Sequence, residues 1–298
     1  MPGAPLIEEW QRLAKAGVIN RTAAARLGIS EATLVASGVG VVATRIKAEP
    51  LAWLQATREL GPVKYVVRND HAVMERSGAL DDIHAGEAIE AHGPALSLTL
   101  LREDIGSAFA LEEPRPEGAK RSLQLFDRRG VTLIKVVCRD MADGRAFATV
   151  RERLRIENEA LPIADEQPAA RTTGLGRDAP AHDSPLQPFT LHDFLRAAAH
   201  QGIALAISVG NGGARLATTT VIQRVKRSSR APWVNVLDPG LDLHLHEARL
   251  QKLAVTRRPD GDTLSWIADD GVVAVTFTVP VGASETLAKA LASGETPD

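Results

Sequence analysis

The chain has 298 residues, 35 lysines and arginines against 37 aspartates and glutamates, and a formal charge of −2. That balance excludes a strongly basic nucleic-acid binder, and 44% hydrophobic with 24% charged residues excludes a disordered chain. A single cysteine, Cys138, leaves no internal disulfide, and no apolar run approaches membrane-spanning length. The first ten residues have neither a basic n-region nor an apolar h-region, so the sequence predicts a cytoplasmic protein with no membrane insertion.

Residues 6–60 read as helical. Leu6, Trp10 and Leu13 share one face of a helix ended by Gly17, and Ala23, Ala24 and Leu27 pack a second, ended by Gly28. Ser30 suits the N-cap of "EATLVAS". Residues 21–37 thus resemble a DNA-reading helix-turn-helix, but the charge balance favours a structural role and no nucleic-acid partner. "PLAWLQATREL" follows, with proline in its first turn and Gly61 after its end.

From residue 62 the pattern alternates. "VKYVVR" and "HAVMERS" flank Asn69-Asp70 as a hairpin, and "LSLTLL" alternates leucines with Ser97 and Thr99. "RSLQLFD" and "VTLIKVVC" flank Arg128-Arg129-Gly130, which places Cys138 in an apolar run as an inert thiol. "MADGRAFATVRERLRI" closes the half as an amphipathic helix. Residues 157–188 hold five prolines and few large apolar groups and read as a linker. "TLHDFLRAAAHQG" is the next helix.

The remainder repeats the first half. "IALAISVGNGGARLATTT" matches the first hairpin, "LDLHLHEARLQKLAV" matches "LSLTLLREDIGSAFAL", and "DTLSWIADDGVVAVTFTV" matches "RSLQLFDRRGVTLIKVV". Asn211 corresponds to Asn69, and Gly271 to Gly130. The preserved order predicts an α+β fold made by tandem duplication of an antiparallel β-sheet unit, with helices packed on one side. The boundaries are 1–156 for the first copy, 157–188 for the linker and 189–298 for the second. "VVAVTFTV" should bury Val273, Val275, Phe277 and Val279 on one face. His244 and His246 share a strand face, but two imidazoles without a third ligand are a weak metal signal.

"AAARLGISEATL", "VVRNDHAVMERSG", "RSLQLFDRRGVTLIKVV", "VGNGG" and above all "PWVNVLDPGLDLHLHEA" resemble the cytoplasmic haemin-degrading and haem-trafficking factors of the HemS/ChuS type. The resemblance covers most of the chain outside the linker. It implies a haem cofactor or cargo between sheet and helices, an axial histidine, an arginine on the opposite face, and basic side chains for the propionates. Some members open the porphyrin ring; others hand haem on, which implies a haem-accepting or reductase protein partner.

The ligand positions depart from that pattern. His192, in "TLHDFL", is the candidate for iron, yet it also reads as part of the helix leading to "VGN", and the interval between them is shorter than the family's. A helical segment is missing there. Thr99 stands where the arginine is expected, with Arg102 nearby. Met74 replaces a histidine, and His71 lies three residues earlier. His246 stands in an arginine's place, and "FTVPVGAS" offers no cation. Lys226, Arg227, Arg230, Arg257 and Arg258 remain for the propionates. The expected site is therefore His192 on iron, with Arg102, His71, Met74, Lys226 and Arg257 around haem. Haem binding and trafficking is the leading expectation. Ring opening and a non-haem scaffold or ligand-binding regulator are the alternatives.

Overall fold

The computed structural model describes residues 4–115, 118–138, 144–156, 183–185, 189–229 and 231–293. The first copy begins with α1 (Ala4–Lys15), α2 (Asn20–Leu27), α3 (Glu31–Ala36), β1 (Ala43–Ile46) and α4 (Pro50–Glu59). There follow β2 (Val63–Arg68), β3 (Ala72–Gly78), β4 (Asp82–Ala85), β5 (Ala88–His92) and β6 (Ser97–Leu101). A 3₁₀ turn at Arg102–Asp104, β7 (Ile105–Arg115), β8 (Gly118–Asp127), β9 (Thr132–Cys138) and α5 (Gly144–Leu154) complete it. The second copy runs through β10 (Asp183–Pro185), α6 (Leu191–His200), β11 (Ala204–Gly210), β12 (Ala214–Val221) and β13 (Val225–Arg227). It continues with β14 (Val234–Asp238), β15 (Leu241–Leu245), a 3₁₀ turn at Glu247–Arg249, β16 (Leu250–Arg258), β17 (Gly261–Ala268), β18 (Val273–Pro280) and α7 (Ala283–Ser293).

The strands form two nine-stranded sheets, in the orders β1-β7-β8-β9-β2-β3-β15-β14-β13 and β10-β16-β17-β18-β11-β12-β6-β5-β4. Each order becomes the other when every strand is replaced by its equivalent in the other copy. The duplication is therefore written into the topology. Each sheet takes six strands from one copy and three from the other: β15 pairs antiparallel with β3, with Leu243 opposite Met74. Short connections give antiparallel ladders, as expected.

Compact units do not follow the sequence order of the copies. One holds the elements from α1 to Lys64, Leu80–Ala91 and the chain from Leu100 through α5; the other holds Tyr65–Ala79, His92–Thr99 and the elements from β10 onward. Within 157–188, Asp183–Pro185 pair with Lys252–Ala254 of β16 at a sheet edge, where β1 stands in the other sheet. A proline is tolerated on such an edge. The rest of that predicted linker, like Arg230, lies outside the described residues.

In the first unit Trp10, Leu13, Ala23, Ala24, Leu34, Val35, Phe109, Leu111 and Phe126 form one buried cluster. Phe109 and Phe126 meet edge to face at 5.8 Å. The helix-turn-helix look-alike is part of this core. No residue of α3 is exposed, and the Ala32 N–H donates to the Gly130 carbonyl at 2.9 Å. Thr132 Oγ1 donates to Glu31 Oε2 at 2.9 Å. A recognition helix needs a free face, and α3 has spent its own on the β8–β9 hairpin.

Gly130 allows that approach. Its φ is +78°, and a Cβ there would fall against the Ser30 side chain that caps α3. Gly271, its equivalent, has φ +81° with nothing within 4 Å. Gly271→Ala should cost about 1 kcal/mol of backbone strain. Gly130→Ala should cost at least about 1 kcal/mol more, because the cap must move. Urea unfolding of the two variants measures the difference.

In the second unit α6 packs Phe194 against Phe277 at 5.3 Å, and Val273, Val275, Phe277 and Val279 are buried as the alternation predicts. Two asparagines staple the hairpin turns. Asn69 Nδ2 donates to the Gly210 and Ala274 carbonyls, at 3.0 and 2.9 Å. Asn211 Nδ2 donates to the Arg68 carbonyl at 3.1 Å. Each Oδ1 accepts two N–H groups of its own turn: His71 and Ala72 for Asn69, Gly213 and Ala214 for Asn211. Cys138 is half-buried, and burial pushes its thiol up to about 11, partly offset by Arg121. The thiolate needed for reactivity is scarce there. Among the described residues no helix is long and apolar enough to cross a membrane.

Candidate functional site

Thr190 opens α6 with a capping box. Asp193 N–H donates to Thr190 Oγ1, and Asp193 Oδ2 accepts from Thr190 N–H and Oγ1 at 3.1 and 2.8 Å. His192 therefore sits in the first helical turn, where backbone N–H groups lack intrahelical partners. Its N–H donates to Glu247 Oε1 at 3.1 Å. Arg227 grips the same carboxylate with Nε on Oε2 at 3.0 Å and Nη2 on Oε1 at 3.1 Å, and Nη2 also reaches Thr190 Oγ1 at 3.1 Å.

The His192 side chain is 13% exposed. Its Nδ1 is buried without a hydrogen-bond partner, 3.7 Å from Asp193 Oδ1. Burial is the main cause holding its pKa below the ordinary imidazole value of 6.5, with Arg227 and Arg196 adding to it against Glu247 and Asp193. The ring is neutral at pH 7. A neutral imidazole with one nitrogen beside a carboxylate is the form that ligates a metal through the other. Proton NMR should show His192 titrating below 6.5. Because the folded value is the lower one, the stability from this group is complete above 6.5 and is lost as pH falls through the folded value.

The Glu247–Arg249 turn connects His192 to a second histidine. The His246 N–H donates to the His71 carbonyl at 2.8 Å, and the His246 ring meets Trp233 edge-on at 4.9 Å. His71 is 5% exposed, and its Nε2 lies 2.8 Å from Asp270 Oδ2. Burial pushes Asp270 up, but the His71 hydrogen bond and the Val272 N–H outweigh it and hold the carboxyl below its usual range. His71, Asp269 and Asp270 offer ligand atoms within 4.8 Å of one another, but Asp269 already pairs with Arg249 at 2.8 Å. His244 Nδ1 lies 2.7 Å from Asn235 Oδ1.

Of the other expected site residues, Met74 lies on β3, Arg102 on the Arg102–Asp104 turn, Arg257 on β16 and Lys226 on β13. Met74 is fully buried opposite Leu243. Arg102 belongs to the first unit and pairs with Glu49, the N-cap of α4, at 3.4 Å. Arg257 is exposed on β16 opposite Asp262, and Lys226 is exposed on β13 beside Arg227. Sequence reasoning overlooked Glu247, Trp233 and Asp193. A signal existed: aligning "LSLTLLRED" with "LDLHLHEAR" sets Arg102 against Glu247 and Asp104 against Arg249, so both charges change sign between the copies.

The cluster offers a mostly buried imidazole, an aromatic ring and the cations Arg196 and Arg227. That set suits an iron-bearing, carboxylate-bearing flat ligand. Residues 28–154 match the family model of the haemin-degrading HemS.ChuX domain. The hemin transport protein HmuS of Yersinia pestis is 30% identical over 301 aligned positions, covering 86% of this chain and 85% of its own length. That aligned span exceeds the part of this chain within it, so the relative carries residues that this chain lacks. The structure superposes on holo-PhuS, a heme-binding protein of Pseudomonas aeruginosa, with TM-score 0.86 and 27% identity over 96% of this chain and 98% of that one. It also superposes on the heme-degrading enzyme ChuS of Escherichia coli O157:H7, with TM-score 0.84 and 25% identity over 98% and 99%. The duplicated topology and these likenesses make the chain a member of the HemS/ChuS-like haemin-handling family.

Proposed function

We propose that the chain binds haem in its second copy and carries it in the cytoplasm, with His192 as the iron ligand. The observation that carries this is the mostly buried His192 ring, whose Nδ1 has no hydrogen-bond partner and lies 3.7 Å from Asp193 Oδ1. Asp193 would accept a hydrogen bond from Nδ1–H and leave Nε2 for iron. Arg196 and Lys226 are the cations for the propionates, since Arg227 is held by Glu247 and Thr190. Haem, when bound, supplies a metal whose coordination the axial imidazole sets.

Delivery to a haem-accepting or reductase protein partner is the favoured role. Ring opening needs a donor facing the open iron position. Arg102, the candidate for it, is engaged with the α4 cap through Glu49. Titration of the purified protein with haemin is the test: a saturable Soret shift supports the proposal, and no shift at equimolar haemin refutes it. Haem that persists under ascorbate distinguishes carriage from breakdown.

A further inference from the structure

We propose that Glu247 is a positioning residue for His192, holding residue 192 through its backbone with Arg227 as the anchor. This rests on the haem-binding reading above.

Helix N-termini are normally closed by neighbours in sequence. The capping box of α6 is of that kind, and it satisfies Thr190 and Asp193. The N–H of His192 is left over, and it is met by a carboxylate 55 residues away. Glu247 in turn is fixed from two sides. Arg227 holds both of its oxygens, and the turn that carries it is tied to the β3 hairpin through His246 N–H and the His71 carbonyl. A carboxylate at a helix N-terminus is favoured electrostatically, and the bidentate guanidinium fixes its orientation.

The first copy shows what happens without the histidine. Leu51 occupies the position of His192, second in its helix. Its N–H donates to the N-cap side chain, Glu49 Oε1, at 3.1 Å, and Arg102, the equivalent of Glu247, meets the same oxygen at 3.4 Å. The equivalent N–H is thus capped locally in the first copy, and in the second by a carboxylate 55 residues away. That carboxylate fixes the backbone from which the ring projects, and through Thr190 it fixes Asp193, whose Oδ1 faces Nδ1. Angular placement of an axial ligand depends on such partners.

The test compares haemin affinity, the optical and magnetic spectra of the bound haem, and hydrogen exchange at the His192 amide in the apo-protein. Glu247→Ala should weaken haemin binding about tenfold, alter the ligand-field spectrum and speed exchange at residue 192. The unfolding midpoint should stay near that of the parent. Glu247→Gln keeps an acceptor for the His192 N–H and should recover affinity to within about threefold. Glu247→Asp keeps the charge but falls short of the amide, so it should behave like alanine, and it replaces that variant if alanine prevents folding. Parental affinity, spectrum and exchange in Glu247→Ala or Glu247→Asp, with binding lost in His192→Ala, would overturn the positioning role alone. Full haemin binding in His192→Ala would overturn the reading on which it rests.

Discussion

Haemin binding should fall by more than about 100-fold in His192→Ala, beyond the range for losing an outer partner of a metal ligand. The reason is local. His192 combines a mostly buried ring, a pKa lowered by burial and by Arg227, and a nitrogen without a partner. His71 is more deeply buried, its side chain 5% exposed, and its ring is tied to Asp270 Oδ2 through Nε2 at 2.8 Å. His71→Ala should therefore keep the Soret shift and lose stability instead, because it leaves Asp270 without its imidazole partner. Met74→Leu should also bind normally, since the thioether lies in the core opposite Leu243. Equilibrium titration of the three variants at one pH separates them. Retained affinity in His192→Ala with loss in His71→Ala would move the iron to the β3 hairpin.

Asn69→Ala should destabilise the protein by about 3 kcal/mol, from four hydrogen bonds worth about 1 kcal/mol each and partly replaced by water. Its amide satisfies two carbonyls from other strands and two N–H groups of its own turn. Asn211→Ala should destabilise the protein as well, since its amide bonds the Arg68 carbonyl and two N–H groups of its own turn. Because each asparagine bonds the backbone beside the other, their effects should be coupled by about 0.5 kcal/mol or more. Guanidinium unfolding of both single variants and the double variant gives the coupling. Additive losses below about 1 kcal/mol each would mean that the two turns are held independently.

Those asparagines were legible because a turn residue with a specific hydrogen-bonding task resists replacement in both copies. Gly130 and Gly271 were legible for the related reason that their backbones require positive φ. The alternation of "VVAVTFTV" located its buried face because a strand has period two. The same period, applied to β3, buries Met74 along with Ala72, and so argues against its reaching a ligand.

The exchange of strands between the sheets was not legible. Alternation states which face of a strand is apolar but not which edge lies beside it, so the pairing of β15 with β3 left no mark in either segment. β4, β5 and β13 are too short to carry a periodic signal of their own. At the site, His192 was named from a motif. Glu247 was missed because its role depends on a contact across 55 residues. Its change of sign relative to Arg102 became meaningful only when the copies were aligned in space.

Only the second copy has an imidazole at the start of its core-packing helix; the first has Leu51 there and an arginine in place of Glu247. The decisive measurement is the break point of a haemin titration followed at the Soret band with protein well above the dissociation constant. One haem per chain is the predicted result. A break at two, or a linear rise with no break, would contradict a single haem site built on His192.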